Sequence, residues 1–188
     1  MNNCNNQCPL LTTALIRLTQ NQYALVSNED YEWLSREKWH CVNMRGGRKA
    51  MRSIYGPEKQ RRHKVYMHRE IMGLEKGDNR VVDHINHNTL DNRRCELRIC
   101  SQAENCRNMR KTHGSSQYKG VSWRKLRKKW KAVITINDKT IFLGDFDSQN
   151  HAAMAYNEAA RKHYGEYACL NVIQETDHAN ITTNPATP

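Results

Sequence analysis

Residues 81–105, VVDHINHNTLDNRRCELRICSQAEN, compress two β-type runs, a polar turn and the start of a helix into one short window. VVDHI (81–85) and CELRIC (95–100) read as strands, and NHNTLDN between them has turn chemistry. SQAENCRNM opens a helix, with Ser101 as N-cap and Glu104 at the capping-box position. A strand, turn, strand, helix string this short closes as a small unit and leaves no room for one large core. Adjacent residues of a regular strand face opposite sides, so Asp83 and His84 can serve one place only where the strand ends or twists. The Asn- and His-rich turn that follows makes such an end.

The flanking sequence also breaks into small pieces. ALIRL (14–18), YALVS (23–27), KWHCV (38–42), AMRSIY (50–55) and HKVYM (63–67) read as strands, with a helical turn in EDYEWLSR and turns at Gly46-Gly47 and GPEKQ. HREIMGL adds one or two helical turns, closed by Gly73 and Gly77. RKTHGSSQ (110–117) has linker composition. YKGVSWRK (118–125), KWKAVITIN (129–137) and KTIFLGDF (139–146) then predict a three-stranded antiparallel sheet with a tight turn at Asn137-Asp138. A helix from about 149 to 163, capped by Asp147 or Ser148 and stopped at Gly165, carries an alanine face with Tyr156 beside it and can lie close on that sheet. Trp130, Leu143, Phe146 and Tyr156 are expected in the core between them.

The predicted class is α+β: a small N-terminal β-rich unit (1–62), a ββα module (63–109), a linker (110–117), a three-stranded sheet packed on one helix (118–171) and a disordered polar tail (172–188).

The net charge of +11 is uneven. Residues 107–167 hold 13 Lys/Arg against 5 Asp/Glu, whereas 57–106 hold 10 against 8 and 1–56 hold 7 against 4. A polyanion is therefore expected to dock on the last third of the chain. Seven cysteines without a CxxC pair suit neither a disulfide framework nor a paired zinc knuckle, and reduced thiols are expected. The start MNNCNNQCPLLTTALI lacks a basic n-region, and no stretch approaches the ~20 apolar residues of a membrane span. The expectation is a cytoplasmic protein, neither secreted nor membrane-bound.

The central window also carries chemistry. A carboxylate (Asp83) and an amide oxygen (Asn105) can ligate a hard divalent ion, and a neutral imidazole (His84) can take a proton from water. Oxygen-only ligation favours Mg²⁺ or Mn²⁺. The ordered set YMHRE (66–70), VDHINHNTLDNRR, CELRI and SQAENCRN resembles the HNH homing endonucleases of phages and introns, a branch of the ββα-metal nucleases. That resemblance implies that Asp83 and Asn105 hold the metal and that His84 is the general base. Glu96 stands where most members have the Asn that braces the loop carrying the base; an ionised carboxylate accepts but cannot donate. His68, Arg69 and Asn92 are candidate supporting residues: His68 and Arg69 could pack and pair or Arg69 could hold a phosphate, and Asn92 could satisfy its own backbone.

YKGVSWRKLRKKWK (118–131) contains 7 Lys/Arg, three aromatics and no acid. On a strand pair it can present cations to phosphates and side chains to base edges. With K-W at the second strand, L-G-x-F at the end of the third, A-A-x-A-Y-x-x-A-A in the helix and a closing L-N, residues 118–171 resemble the APETALA-type domain of plant ethylene-response factors. The resemblance implies DNA contacts from Lys119, Trp123, Arg124, Lys131, Thr135 and Phe142. Ser122 and Thr135 stand where the plant proteins have Arg, so their target sequence does not carry over.

Three functions are open at this point. The first is a Mg²⁺- or Mn²⁺-dependent endonuclease acting on double-stranded DNA, with no small-molecule substrate, monomeric on DNA and therefore nicking one strand. The second is a DNA-binding regulator whose nuclease module has decayed at Glu96. The third, an RNA-binding accessory protein, rests on charge alone.

Overall fold

The computed structural model describes residues 13–44, 46–55, 62–110 and 114–173. The chain is mixed α+β and divides into two compact units, 1–108 and 109–188.

In the first unit β1 (Thr13–Arg17) and β2 (Tyr23–Ser27) form an antiparallel hairpin, and α1 (Asn28–Ser35) follows directly. β3 (His40–Met44), β4 (Gly47–Tyr55) and β5 (Arg62–Tyr66) make a second antiparallel sheet, leading into the short helix α2 (Met67–Ile71). β6 (Val81–His84) pairs antiparallel with β8 (Leu97–Cys100), and α3 (Gln102–Asn108) closes the unit. The capping box forms as its residue types require. Ser101 N–H donates to the Glu104 carboxylate at 2.8 Å, and Glu104 N–H donates to Ser101 Oγ at 3.2 Å.

Part of the predicted turn between β6 and β8 is not a turn. Asp91–Asn92 form a two-residue strand, β7, that runs parallel to β2, with Leu25 opposite Asp91 and Val26 opposite Asn92. This strand ties the catalytic-type window to the N-terminal hairpin. Ile16, Val26, Leu34, Trp39, Met67, Val82 and Leu97 accordingly share one buried core. The expected break at 62/63 is therefore not a break in packing.

The second unit holds β9 (Val121–Arg124), β10 (Lys129–Ile136) and β11 (Lys139–Phe146) in antiparallel order, packed on α4 (Gln149–Tyr164). Ser148 is the cap, accepting from Asn150 N–H at 3.1 Å. The sheet lies so close to the helix that a Cβ on Gly120, at φ +74°, would sit 2.0 Å from the Tyr156 ring. Trp130, Leu143, Phe146 and Tyr156 pack in this core as expected. Asn171 closes the unit by clamping Lys119: it accepts from Lys119 N–H at 2.7 Å and donates to the Lys119 carbonyl at 3.0 Å.

Two sequence boundaries shift. Ser115 and Ser116, read as linker, accept from the N–H groups of Trp123 and Tyr118, so they belong to the second unit. Ile173, read as tail, packs against its core; the rest of the tail reading, 174–188, lies outside the described residues.

Candidate active site

β6 ends at His84, and its register with β8 sets what each side chain meets. Asp83 lies opposite Arg98, and His84 lies opposite Leu97. Cross-strand partners share a face, so the two groups leave the strand on opposite sides at its last residues. Asp83, 5% exposed, is held by Arg98 through Nε at 2.9 Å and Nη2 at 2.7 Å. From the helix, Asn108 Nδ2 donates to both Asp83 oxygens at 3.0 and 2.9 Å and to the His84 carbonyl at 3.2 Å. One amide thus fixes both adjacent residues from the end of α3.

His84, 6% exposed, turns toward α2. Its ring meets His68 edge-on at 5.1 Å, and His68 meets Tyr66 at 5.8 Å. Burial pushes His84 down to about 4, and the nearby Lys49 ammonium pushes the same way; the Asn92 amide, Asp83 and Asp91 oppose them. The imidazole is therefore neutral throughout the physiological range, as a proton acceptor must be. Among the described residues its Nε2 is buried and makes no hydrogen bond of ordinary geometry, although the Asn92 side chain lies close enough to favour the protonated ring. Burial pushes His68 further, to about 2, with the His84, Lys49 and Arg69 charges adding to the effect.

The loop after His84 is braced by acids. Asn86 Nδ2 donates to Asp91 at 2.8 Å, and Arg93 pairs with the same carboxylate at 2.6 Å. Glu96 receives the backbone N–H of Asn86 on its carboxylate, while its backbone carbonyl accepts from Ile85 N–H at 2.9 Å. Burial and the Asp91 charge raise the Glu96 carboxyl, and Arg93 and the Asn86 N–H act against them. Glu96 thus holds a backbone donor of the loop, as an ionised acceptor can. Thr89 in the same loop donates to the Arg48 carbonyl, and Gly47 leaves room for it.

Asp83 with an Asn amide suits a hydrated Mg²⁺, which is bound through one or two carboxylates and keeps several of its waters. Among the described residues no cluster of three or more His, Cys, Asp or Glu forms a metal site. A half-turn of the Asn108 amide would set its oxygen beside the Asp83 carboxylate.

In the second unit, cross-strand pairing places Arg124, Lys131, Thr135 and Phe142 on the face opposite α4. Arg124 and Arg127 both pair with Asp145 at 3.1 Å, and Phe142 is half-exposed.

A virus-encoded relative covers most of this architecture. An uncharacterized HNH endonuclease of Acanthamoeba polyphaga mimivirus is 30% identical over 152 residues, spanning 80% of this chain and 75% of the relative. This chain belongs to the HNH endonuclease family. It is also 39% identical over 77 residues to dehydration-responsive element-binding protein 2C of Arabidopsis thaliana, and 39% identical over 59 residues to an AP2-like ethylene-responsive transcription factor of the same plant. These matches cover 40% and 31% of this chain but only 22% and 12% of the plant proteins. No family model matches the chain.

Within this HNH endonuclease, the expected residues fall into three groups. Asp83, His84, His68, Asn92 and Glu96 assemble around the end of β6 as described above. Asn92 is fully buried beside the His84 ring and donates to the Leu90 carbonyl at 3.2 Å. Asn105, by contrast, contributes its backbone N–H to the Ser101 carbonyl, and it is Asn108 that reaches Asp83. Arg69 spends its guanidinium on the carbonyls of Arg80, Glu75 and Asp78, which holds the 75–80 loop.

Two residues expected to contact DNA also have neighbours within the chain. Trp123 pairs with Trp130 across the strands, the rings 5.0 Å apart and tilted by 59°, on the helix side of the sheet. The Lys119 ammonium donates to the Met109 carbonyl at 2.7 Å. Sequence reasoning missed Asn108, Arg98 and Lys49. The signal for Asn108 was its position three residues after Asn105, on the same side of a helix.

Proposed function

We propose that this HNH endonuclease hydrolyses a phosphodiester of duplex DNA, nicking one strand in the presence of Mg²⁺ or Mn²⁺, with docking by the open face of the C-terminal sheet. The observation that carries the reading is the neutral, buried His84, whose Nε2 makes no hydrogen bond of ordinary geometry among the described residues, next to an Asp83 carboxylate fixed by Asn108.

Asp83 and an amide oxygen, from Asn108 or Asn105, would hold the ion, which when bound neutralises charge on the phosphate and leaving oxygen. His84 Nε2 takes a proton from water as the water oxygen bonds to phosphorus and the P–O3′ bond breaks. The products are a 5′ phosphate and a 3′ hydroxyl. Asn92 and the Asp91–Asn86–Glu96 brace fix where the imidazole points. Arg124, Lys131, Thr135 and Phe142 would meet the duplex from the second unit.

The test is nicking of supercoiled plasmid DNA with Mg²⁺. His84→Ala is expected to lower the rate by roughly 10²–10⁴-fold; undiminished nicking refutes the assignment of the base. Asn108→Ala and Asn105→Ala separate the two candidate ligands by which one weakens metal binding in calorimetry. DNA binding without cleavage, with cleavage gained on Glu96→Asn, would instead support a decayed regulator.

A further inference from the structure

Lys49 is a half-buried cation of the first unit to which the reading above gives no role. It sits on β4, two residues before Met51, which pairs with Tyr66 of β5. Lys49 and Tyr66 therefore occupy the same face of the β3–β4–β5 sheet. From Tyr66 the face continues ring to ring through His68 at 5.8 Å to His84 at 5.1 Å. The β3–β4 hairpin that carries Lys49 is also pinned to the loop following His84, through the Thr89 hydroxyl on the Arg48 carbonyl. Position and tether put Lys49 near the imidazole, which feels its charge.

Its surroundings do not account for it. Lys49 is half-buried, and among the described residues it pairs with no carboxylate. Neighbouring Arg52 pairs with Glu37 and Glu70, and Arg93, Arg94 and Arg98 each have acid partners. An ammonium kept from water without a counter-charge costs stability that an apolar residue would not. Burial accordingly holds Lys49 below its usual range, and its charge is felt by both His68 and His84. A polyanion arriving along this face would supply the missing counter-charge.

We propose that Lys49 is a catalytic residue of this enzyme, contacting a non-bridging oxygen of the phosphate that His84 faces and stabilising the charge that builds there during cleavage. The inference rests on the nuclease reading for the identity of that phosphate. It adds a protein cation whose attraction strengthens as the phosphoryl group gains charge.

Three measurements test it. In single-turnover nicking of supercoiled plasmid DNA with Mg²⁺, Lys49→Met should slow cleavage roughly 10- to 100-fold while plasmid affinity changes less than about threefold, and Lys49→Arg should recover part of the rate. Melting temperature should not fall in Lys49→Met, because a desolvated charge has been removed. In a third experiment lysines are ¹³C-methylated, and the signal missing from Lys49→Arg is followed as duplex DNA is added with Ca²⁺. That signal should shift. A wild-type rate in Lys49→Met, a loss of rate matched by a loss of affinity, or a lowered melting temperature with no rescue by Arg overturns the proposal. So does a static methyl signal. If the wild type fails to nick, or His84→Ala nicks normally, while the Lys49 signal shifts, the nuclease reading fails and the phosphate contact at Lys49 stands.

Discussion

His68 illustrates how burial becomes a property of the whole protein. Its ring is 5% exposed and takes a proton in the folded state only near pH 2, against 6.5 when free. Above pH 6.5 it is neutral folded and unfolded, so it adds no pH dependence there. Below 6.5 the unfolded chain binds a proton that the folded chain refuses, and stability falls as pH drops. The loss is about 1.4 kcal/mol per pH unit from this group. Urea unfolding between pH 6.5 and 4.5 is expected to show this slope added to the one that buried His84 contributes over the same range, and His68→Phe to remove only the His68 share. The same scale explains why the amide that meets Asp83 is that of Asn108. Asn105 and Asn108 lie three residues apart on α3, and which amide meets Asp83 depends on the roll of the helix against β6. That roll comes from packing, which a spacing rule does not contain. Asp83 and His84 were legible because their chemistry is local to a strand end.

Among the elements, strands with alternating apolar residues were legible from sequence, and β11 matches its predicted span, 139–146. β7 was not, because a two-residue strand takes its conformation from its partner β2 and not from its own residues. Gly120 shows where an element interface tolerates nothing. Its φ of +74° disfavours any side chain, and an added Cβ would lie 2.4 Å or less from two Tyr156 ring carbons and 2.6 Å from the Val133 carbonyl. Gly120→Ala is expected to destabilise the second unit by roughly 2–5 kcal/mol, from backbone strain plus overpacking. Thermal unfolding followed by tryptophan fluorescence checks this, since Trp123 and Trp130 both report from that sheet.

For the whole molecule, charge is the property that composition predicted most directly. The excess of Lys/Arg over Asp/Glu in residues 107–167 lies largely in the sheet-bearing unit. Structure refines that reading by showing which cations are committed. Arg124 and Arg127 share Asp145 and Lys129 pairs with Asp147, whereas Lys131 makes no ion pair among the described residues. Duplex affinity should fall linearly with the logarithm of salt concentration, and Lys131→Gln should lower that slope by about 0.9, the value for one phosphate contact. Anisotropy titrations at several salt concentrations measure it; an unchanged slope would remove Lys131 from the docking face.

Asn108 is both the final residue of α3 and the last residue of the first unit, and its amide is the clasp on Asp83. Fraying of that terminal turn consequently strips the amide from the carboxylate and leaves Arg98 as its remaining hold. Tension transmitted along the backbone beyond position 108 would be registered first at the acid, before any strand of the unit gave way.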